Sequence, residues 1–125
     1  MVENQNTLKL TIGNEEVVAL KPTNVKIIDV EEKELGVKKA KKIICICKHP
    51  DSIEPIHISS VKYENKGKLD TSGLWVNTDK GGLIRKGSAL AVFMQSQGVK
   101  MPEELKGKEI MTAQDEKGYL CFKAY

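Results

Sequence analysis

A chain of 125 residues has room for one domain, and its 40% hydrophobic and 30% charged content is that of a folded protein rather than a disordered one. No apolar run approaches the ~20 residues of a membrane span, the start Met1-Val2-Glu3-Asn4-Gln5-Asn6 lacks the basic and apolar regions of a secretory leader, and three cysteines make a poor disulfide framework, so a cytoplasmic, non-membrane protein is expected. The net charge of +3 hides an asymmetry, −3 over residues 1–37 against +7 over residues 38–100, which suits a polyanion-facing side or a Lys/Glu-rich solvated surface.

Residues 1–6 read as a flexible N-terminus and residues 7–125 as a single domain. Over 7–12, Leu8, Leu10 and Ile12 alternate with Thr7, Lys9 and Thr11, the period-two pattern of a half-buried strand. Gly13-Asn14 supplies a turn and the chain resumes an extended form over 17–21, which predicts an N-terminal hairpin. In the next strand, 24–31, Val25 and Ile27 share one face and Ile28 and Val30 the other. That change of phase predicts a bulge. Residues 31–42 read as a charged connection around Gly36. The run Ile43-Ile44-Cys45-Ile46-Cys47 is apolar on both faces and predicts a doubly covered strand at 41–48. A third long strand is expected at 55–63, with a second phase slip at Ser59-Ser60.

Residues 65–72 are polar and contain glycine, which predicts a loop, and 74–84 reads as a compact hairpin around Asp79-Lys80-Gly81-Gly82. The helix is expected at 88–97. Ser88 is its N-cap, Leu90, Phe93 and Met94 fall on one face, and Gly98 followed by apolar Val99 stops it. Pro102-Glu103-Glu104-Leu105 reads as one more turn, ended by Gly107. Strands at 108–114 and 119–125 close the chain. In the last one Leu120, Phe122 and Ala124 point one way and Tyr119, Cys121, Lys123 and Tyr125 the other.

The class is therefore mainly β, and the order of elements resembles an OB-fold. Its strands would be 24–31, 41–48, 55–63, 108–114 and 119–125, with the helix 88–97 before the last two and the N-terminal hairpin added in front. The helix start Gly87-Ser88-Ala89-Leu90, followed by Leu105-Lys106-Gly107-Lys108-Glu109-Ile110, is similar to small phage and archaeal single-strand-binding proteins. The resemblance covers about four fifths of the chain. It implies a small five-stranded barrel that binds single-stranded nucleic acid, DNA ahead of RNA, across its second and third strands. Replication or recombination proteins would be its partners, with self-association left open. Fold likeness alone does not establish function, and the alternative is a protein-interaction or structural barrel in a replication or virion complex. There an exposed strand such as 7–12 could pair by edge addition.

Single strands are bound by aromatic rings that stack on bases and by a basic groove that follows the phosphates. Tyr63 stands beside Lys62, Lys66 and Lys68, and Trp75 follows in the next hairpin. Lys48 and His57 lie on the second and third strands, and Arg85 and Lys86 precede the helix. Trp75 reads equally well as a packing residue and Tyr63 as a rim residue. Nineteen of the twenty basic residues are Lys, which holds phosphate as a point charge, so backbone binding with little sequence specificity is expected.

Cys45, Cys47 and His49 alternate on one strand, and Cys121 or His57 could complete a metal shell with them. An extended strand holds the two sulfurs ~6.5–7 Å apart, however, and free cysteine behaves as a small buried hydrophobe. A core role is the expectation. Lys86-Gly87-Ser88 inverts the order of a phosphate-binding loop, and neither histidine has an obvious acid–base partner. No catalytic residue, metal or cofactor is assigned, and no enzyme is expected.

Overall fold

In a computed structural model, which describes residues 20–125, the longest ladder joins β1 (Asn24–Leu35) to β2 (Ala40–Lys48) in antiparallel fashion. The register shifts between Ile27 and Asp29, where the change of phase predicts a bulge. The ladder then continues through Lys33↔Lys42 to Leu35↔Ala40, so 31–42 is a paired hairpin arm and not a loose charged connection. The expected hairpin of residues 7–21 lies outside the described residues except for its last two positions.

The third strand is split where its phase slips. β3 (Ile56–Ile58) pairs with β2, while β4 (Ser60–Asn65) pairs in parallel with β7 (Leu120–Ala124). Only Ser59 separates them. The segment expected to be a loop is instead β5 (Lys68–Gly73), paired antiparallel with β4. The turn between them sets Lys66 at φ 52° and Gly67 at φ 80°, the left-handed pair that a two-residue hairpin turn requires. β6 (Glu109–Gln114) joins β1 to β7. The result is one seven-stranded sheet in the open order β3-β2-β1-β6-β7-β4-β5. Among the described residues seven strands in an open sheet therefore stand where five closed into a barrel were expected. The difference lies in the split at Ser59 and in β5, whose polar sequence carries no strand period.

The chain after β5 forms the expected compact hairpin, with a bridge between Thr78 and Ile84 and an Asp79 N–H to Leu83 carbonyl bond of 2.8 Å. Next comes α1 (Ala89–Ser96), placed by its caps. The Ser88 hydroxyl accepts the Ala91 N–H at 3.2 Å, and Val99 returns its own N–H to Met94 O at 3.1 Å. A 3₁₀ turn at Pro102–Leu105 buries Leu105 and leads the chain back onto β1, where the Gly107 N–H donates to Ile27 O at 2.7 Å.

One cluster of buried side chains lies between α1 and the sheet. Phe93 stacks on Phe122 with centroids 4.6 Å apart, surrounded by Leu90, Leu74, Val61, Ile27, Ile58 and Ile110. Both phenylalanines occupy the core positions that the sequence pattern assigns them. Cys121 does not follow its pattern. It lies on the face opposite Phe122 yet is fully buried, its thiol donating to Ala113 O at 3.6 Å. Among the described residues no helix is long and apolar enough to cross a membrane.

Candidate functional site

The outward face of β2 is the natural place to begin. Ile43, Cys45 and Cys47 are buried, so alternation turns Lys42, Ile44, Ile46 and Lys48 to the other side. Ile44 and Ile46 are half-buried there, flanked by a lysine at each end of the row. Directly opposed residues of an antiparallel pair share a face, which adds His57 beside Ile46 and Trp75 beside Lys42.

Trp75 is held by the strand-like segment 74–76. The Ile43 N–H donates to Leu74 O at 2.9 Å and the Val76 N–H to Lys41 O at 2.8 Å. Leu74 is fully buried, so Gly73 and Trp75 both turn outward. A Cβ on Gly73 would stand 2.7 Å from Trp75 Nε1 and 2.9 Å from Lys42 Cε. Glycine thus makes the slot in which the indole edge and the lysine stem lie together. Lys42 Nζ is 5.0 Å from the ring centroid, a cation–π contact that keeps a positive charge at the ring.

Charge divides this face. The carboxylates stand beside its middle, where Asp29 and Glu31 of β1 oppose Ile46 and Ile44, and lysines stand at its ends, where Lys33 opposes Lys42 and Lys26 opposes Lys48.

Of the residues singled out from the sequence, Lys48, His57 and Trp75 lie on this face, with Lys48 and Trp75 at its opposite ends, roughly 20 Å apart at strand rise. The others do not join them. Val61 is fully buried and Tyr63, two residues on, shares its side, so the Tyr63 ring packs against the core away from Trp75. Lys62 turns outward but donates from Nζ to Gln114 O at 3.1 Å. Lys66 and Lys68 are exposed at the far end of β5, the strand at the other end of the sheet order from β3 and β2. Arg85 donates from Nη2 to Thr78 O at 3.1 Å, and Lys86 lies at a separate groove beside α1. The residues missed by sequence reasoning are Lys42, Ile44 and Ile46. Their signal was the alternation of 42–48, obscured because Ile43–Cys47 is apolar throughout.

The cysteine–histidine run has a different chemistry from a metal shell. Burial pushes the Cys45 and Cys47 thiols up to about 12, the neighbouring Cys47 adding to the effect on Cys45, and burial also raises Cys121. Thiols that hold their protons are poor nucleophiles, and among the described residues no group of three His, Cys, Asp or Glu side chains is placed to hold a metal ion. His49 is buried with both ring nitrogens engaged: Nδ1 accepts the Asp51 N–H at 3.0 Å, so Nε2 carries the proton and donates to Lys21 O at 2.8 Å. Its imidazole ties the strand end to the chain entering β1.

No family model, curated protein or solved structure matches this chain, so any functional reading stands on the outward face of β2 itself.

Proposed function

We propose that the protein binds single-stranded nucleic acid, DNA ahead of RNA, without catalysis and with little sequence specificity, along the face formed by β2, β3 and Trp75. The observation that carries this reading is the placement of Trp75 in line with Ile44, Ile46 and His57, with Lys42 and Lys48 at the two ends of the row. Bases stack on the apolar middle of such a surface while ammonium groups meet the phosphates. The split third strand supports an OB-like arrangement, since β3 lies at the β2 end of the sheet and β4 beside β7 at the other, joined through Ser59 alone. Lysine in place of arginine favours phosphate contact over base-edge readout.

The single tryptophan reports directly on this face. Titration with dT and rU oligomers is expected to quench its fluorescence, with a duplex control nearly silent. Affinity should fall with log salt at about −0.7 per phosphate neutralised. Trp75→Ala should weaken dT binding by about 1–3 kcal/mol, the value of one stacked base. A flat fluorescence trace with no gel shift would remove nucleic acid as the ligand. An intact gel shift for Trp75→Ala would move the binding site off this face.

A further inference from the structure

On the other side of the molecule, α1 and the hairpin of residues 77–85 enclose a groove of about 580 Å³. That is within the ~300–1,000 Å³ typical of ligand sites. Its floor is aliphatic: Ile84, Ala91, Met94 and Val99. Leu83 and Met101 line it as well, 70% and 52% exposed. These are large apolar side chains left in water beside a groove they would help to close. Methionines at such a surface adapt to the shape of what they contact.

Charge indicates what the groove accepts. Lys86 precedes α1 and Lys100 follows it, so the two lysines flank opposite ends of an eight-residue helix about 12 Å long. Among the described residues no carboxylate lines the groove. Acids flank it on two elements: in the hairpin the Asp79 carboxylate is turned onto its own backbone, accepting the N–H groups of Gly81 and Leu83 at 2.9 and 3.1 Å, and the others belong to the 3₁₀ turn. Glu104 accepts the backbone N–H groups of Lys100 and Met101 at 3.0 and 2.9 Å, and Glu103 faces a neighbouring hollow with Glu31 and Glu32. Three occupants can be weighed. A second copy docking by a two-fold contact would set lysine against lysine, a like-charge juxtaposition. Nucleic acid finds phosphate partners here but no aromatic ring on which to stack a base. An acidic peptide with apolar side chains satisfies both the floor and the rim.

We propose that this groove docks a short acidic segment of a partner protein, its apolar side chain seated over Met94 and Val99 between Leu83 and Met101. Its carboxylates, on either side of that apolar residue, meet Lys86 and Lys100. The inference does not depend on the nucleic-acid reading, because the groove shares no residue with the Trp75 face.

The test is selection of a phage-displayed library of random twelve-residue peptides on the full chain, with counter-selection on Leu83→Ser/Met101→Ser. Both positions are exposed, so this variant keeps the core, as an unchanged thermal midpoint would verify. Selected peptides should be rich in Asp or Glu around an apolar residue and should shift the amide resonances of Met94, Gln95, Val99 and Lys100. Their affinity should drop about tenfold or more in the serine variant and about tenfold in Lys86→Glu/Lys100→Glu. Trp75→Ala should leave it unchanged. Peptides that lack acids, peptides that bind the serine variant equally well, or a selection that yields nothing would each overturn the proposal. So would a concentration-dependent dimer abolished by the serine variant, which would assign the groove to a second copy.

Discussion

The two ends of the β1–β2 ladder share one hydrogen-bond pattern and are held by different forces. At the inner end Ile27 pairs with Cys47 and Val30 with Cys45, and Ile27, Cys45 and Cys47 are fully buried. At the outer end Lys33 pairs with Lys42, Glu34 with Lys41 and Leu35 with Ala40, in a stretch exposed almost throughout and tipped by Val37. Among the described residues one ion pair supports the arm, Lys41 Nζ to Glu32 Oε1 at 3.2 Å, with both side chains about half exposed. An isolated two-stranded hairpin is marginal in water. The arm therefore takes its register from the anchored inner end, and the two ends should respond very differently to substitution.

The largest expected difference comes from the core. Ile27→Ala removes three carbons from a fully buried site beside the bulge and should cost about 2–5 kcal/mol of unfolding free energy by urea titration. A loss below ~1 kcal/mol would mean that the inner end collapses around the cavity and that burial does not fix the ladder.

The inner end was legible in the sequence for the same physical reason that it is stable. A buried face demands apolar side chains at period two, so the phase slips near Ile27-Ile28 and at Ser59-Ser60 could be read directly, as could the capped helix. The arm and β5 have no such demand. Glu31-Glu32-Lys33-Glu34 and Lys68-Leu69-Asp70 lie in water on both sides, and their extended form is imposed by a paired neighbour and a tight turn. The candidate site divides in the same way. Lys48 and His57 follow from their place on the second and third strands, where the OB-fold resemblance puts the binding surface, but the bridge between Lys42 and Trp75 links positions 33 residues apart that no local pattern joins. Tyr63 reads with the binding residues because Lys62, Lys66 and Lys68 stand beside it in the sequence, and the break at Ser59 precedes it. The parity after that break decides which face the ring takes, and only the burial of Val61 settles it.

A second contrast should emerge in alkali. In the unfolded chain the Cys45 and Cys47 thiols ionise from about 9.0, whereas burial holds them protonated up to about 12 in the fold. Their contribution to stability is complete below pH 9 and is lost as pH climbs toward 12. By pH 10 the loss should be about 1.4 kcal/mol per thiol. Urea midpoints at pH 8 and pH 10, compared between the wild type and Cys45→Ala/Cys47→Ala, isolate this effect. The double variant starts less stable but should show the shallower decline. Parallel declines would place the alkaline sensitivity elsewhere in the molecule.

The smallest effect, and the sharpest test of how the arm is held, concerns its ion pair. Exposed pairs contribute about 0.2–1 kcal/mol, and this one joins two half-exposed side chains across an edge that water reaches. Lys41→Ala should therefore shift global stability by less than ~0.5 kcal/mol, and Val37→Asp at the tip by no more. Local opening is the more sensitive readout. Amide exchange in the outer pairs, Lys33↔Lys42 to Leu35↔Ala40, should be far faster than at Ile27 and Cys47, and Lys41→Ala should accelerate only the outer set. If the outer amides exchanged as slowly as the inner ones, the arm would carry stability of its own. The anchored end would then not be what sets its register.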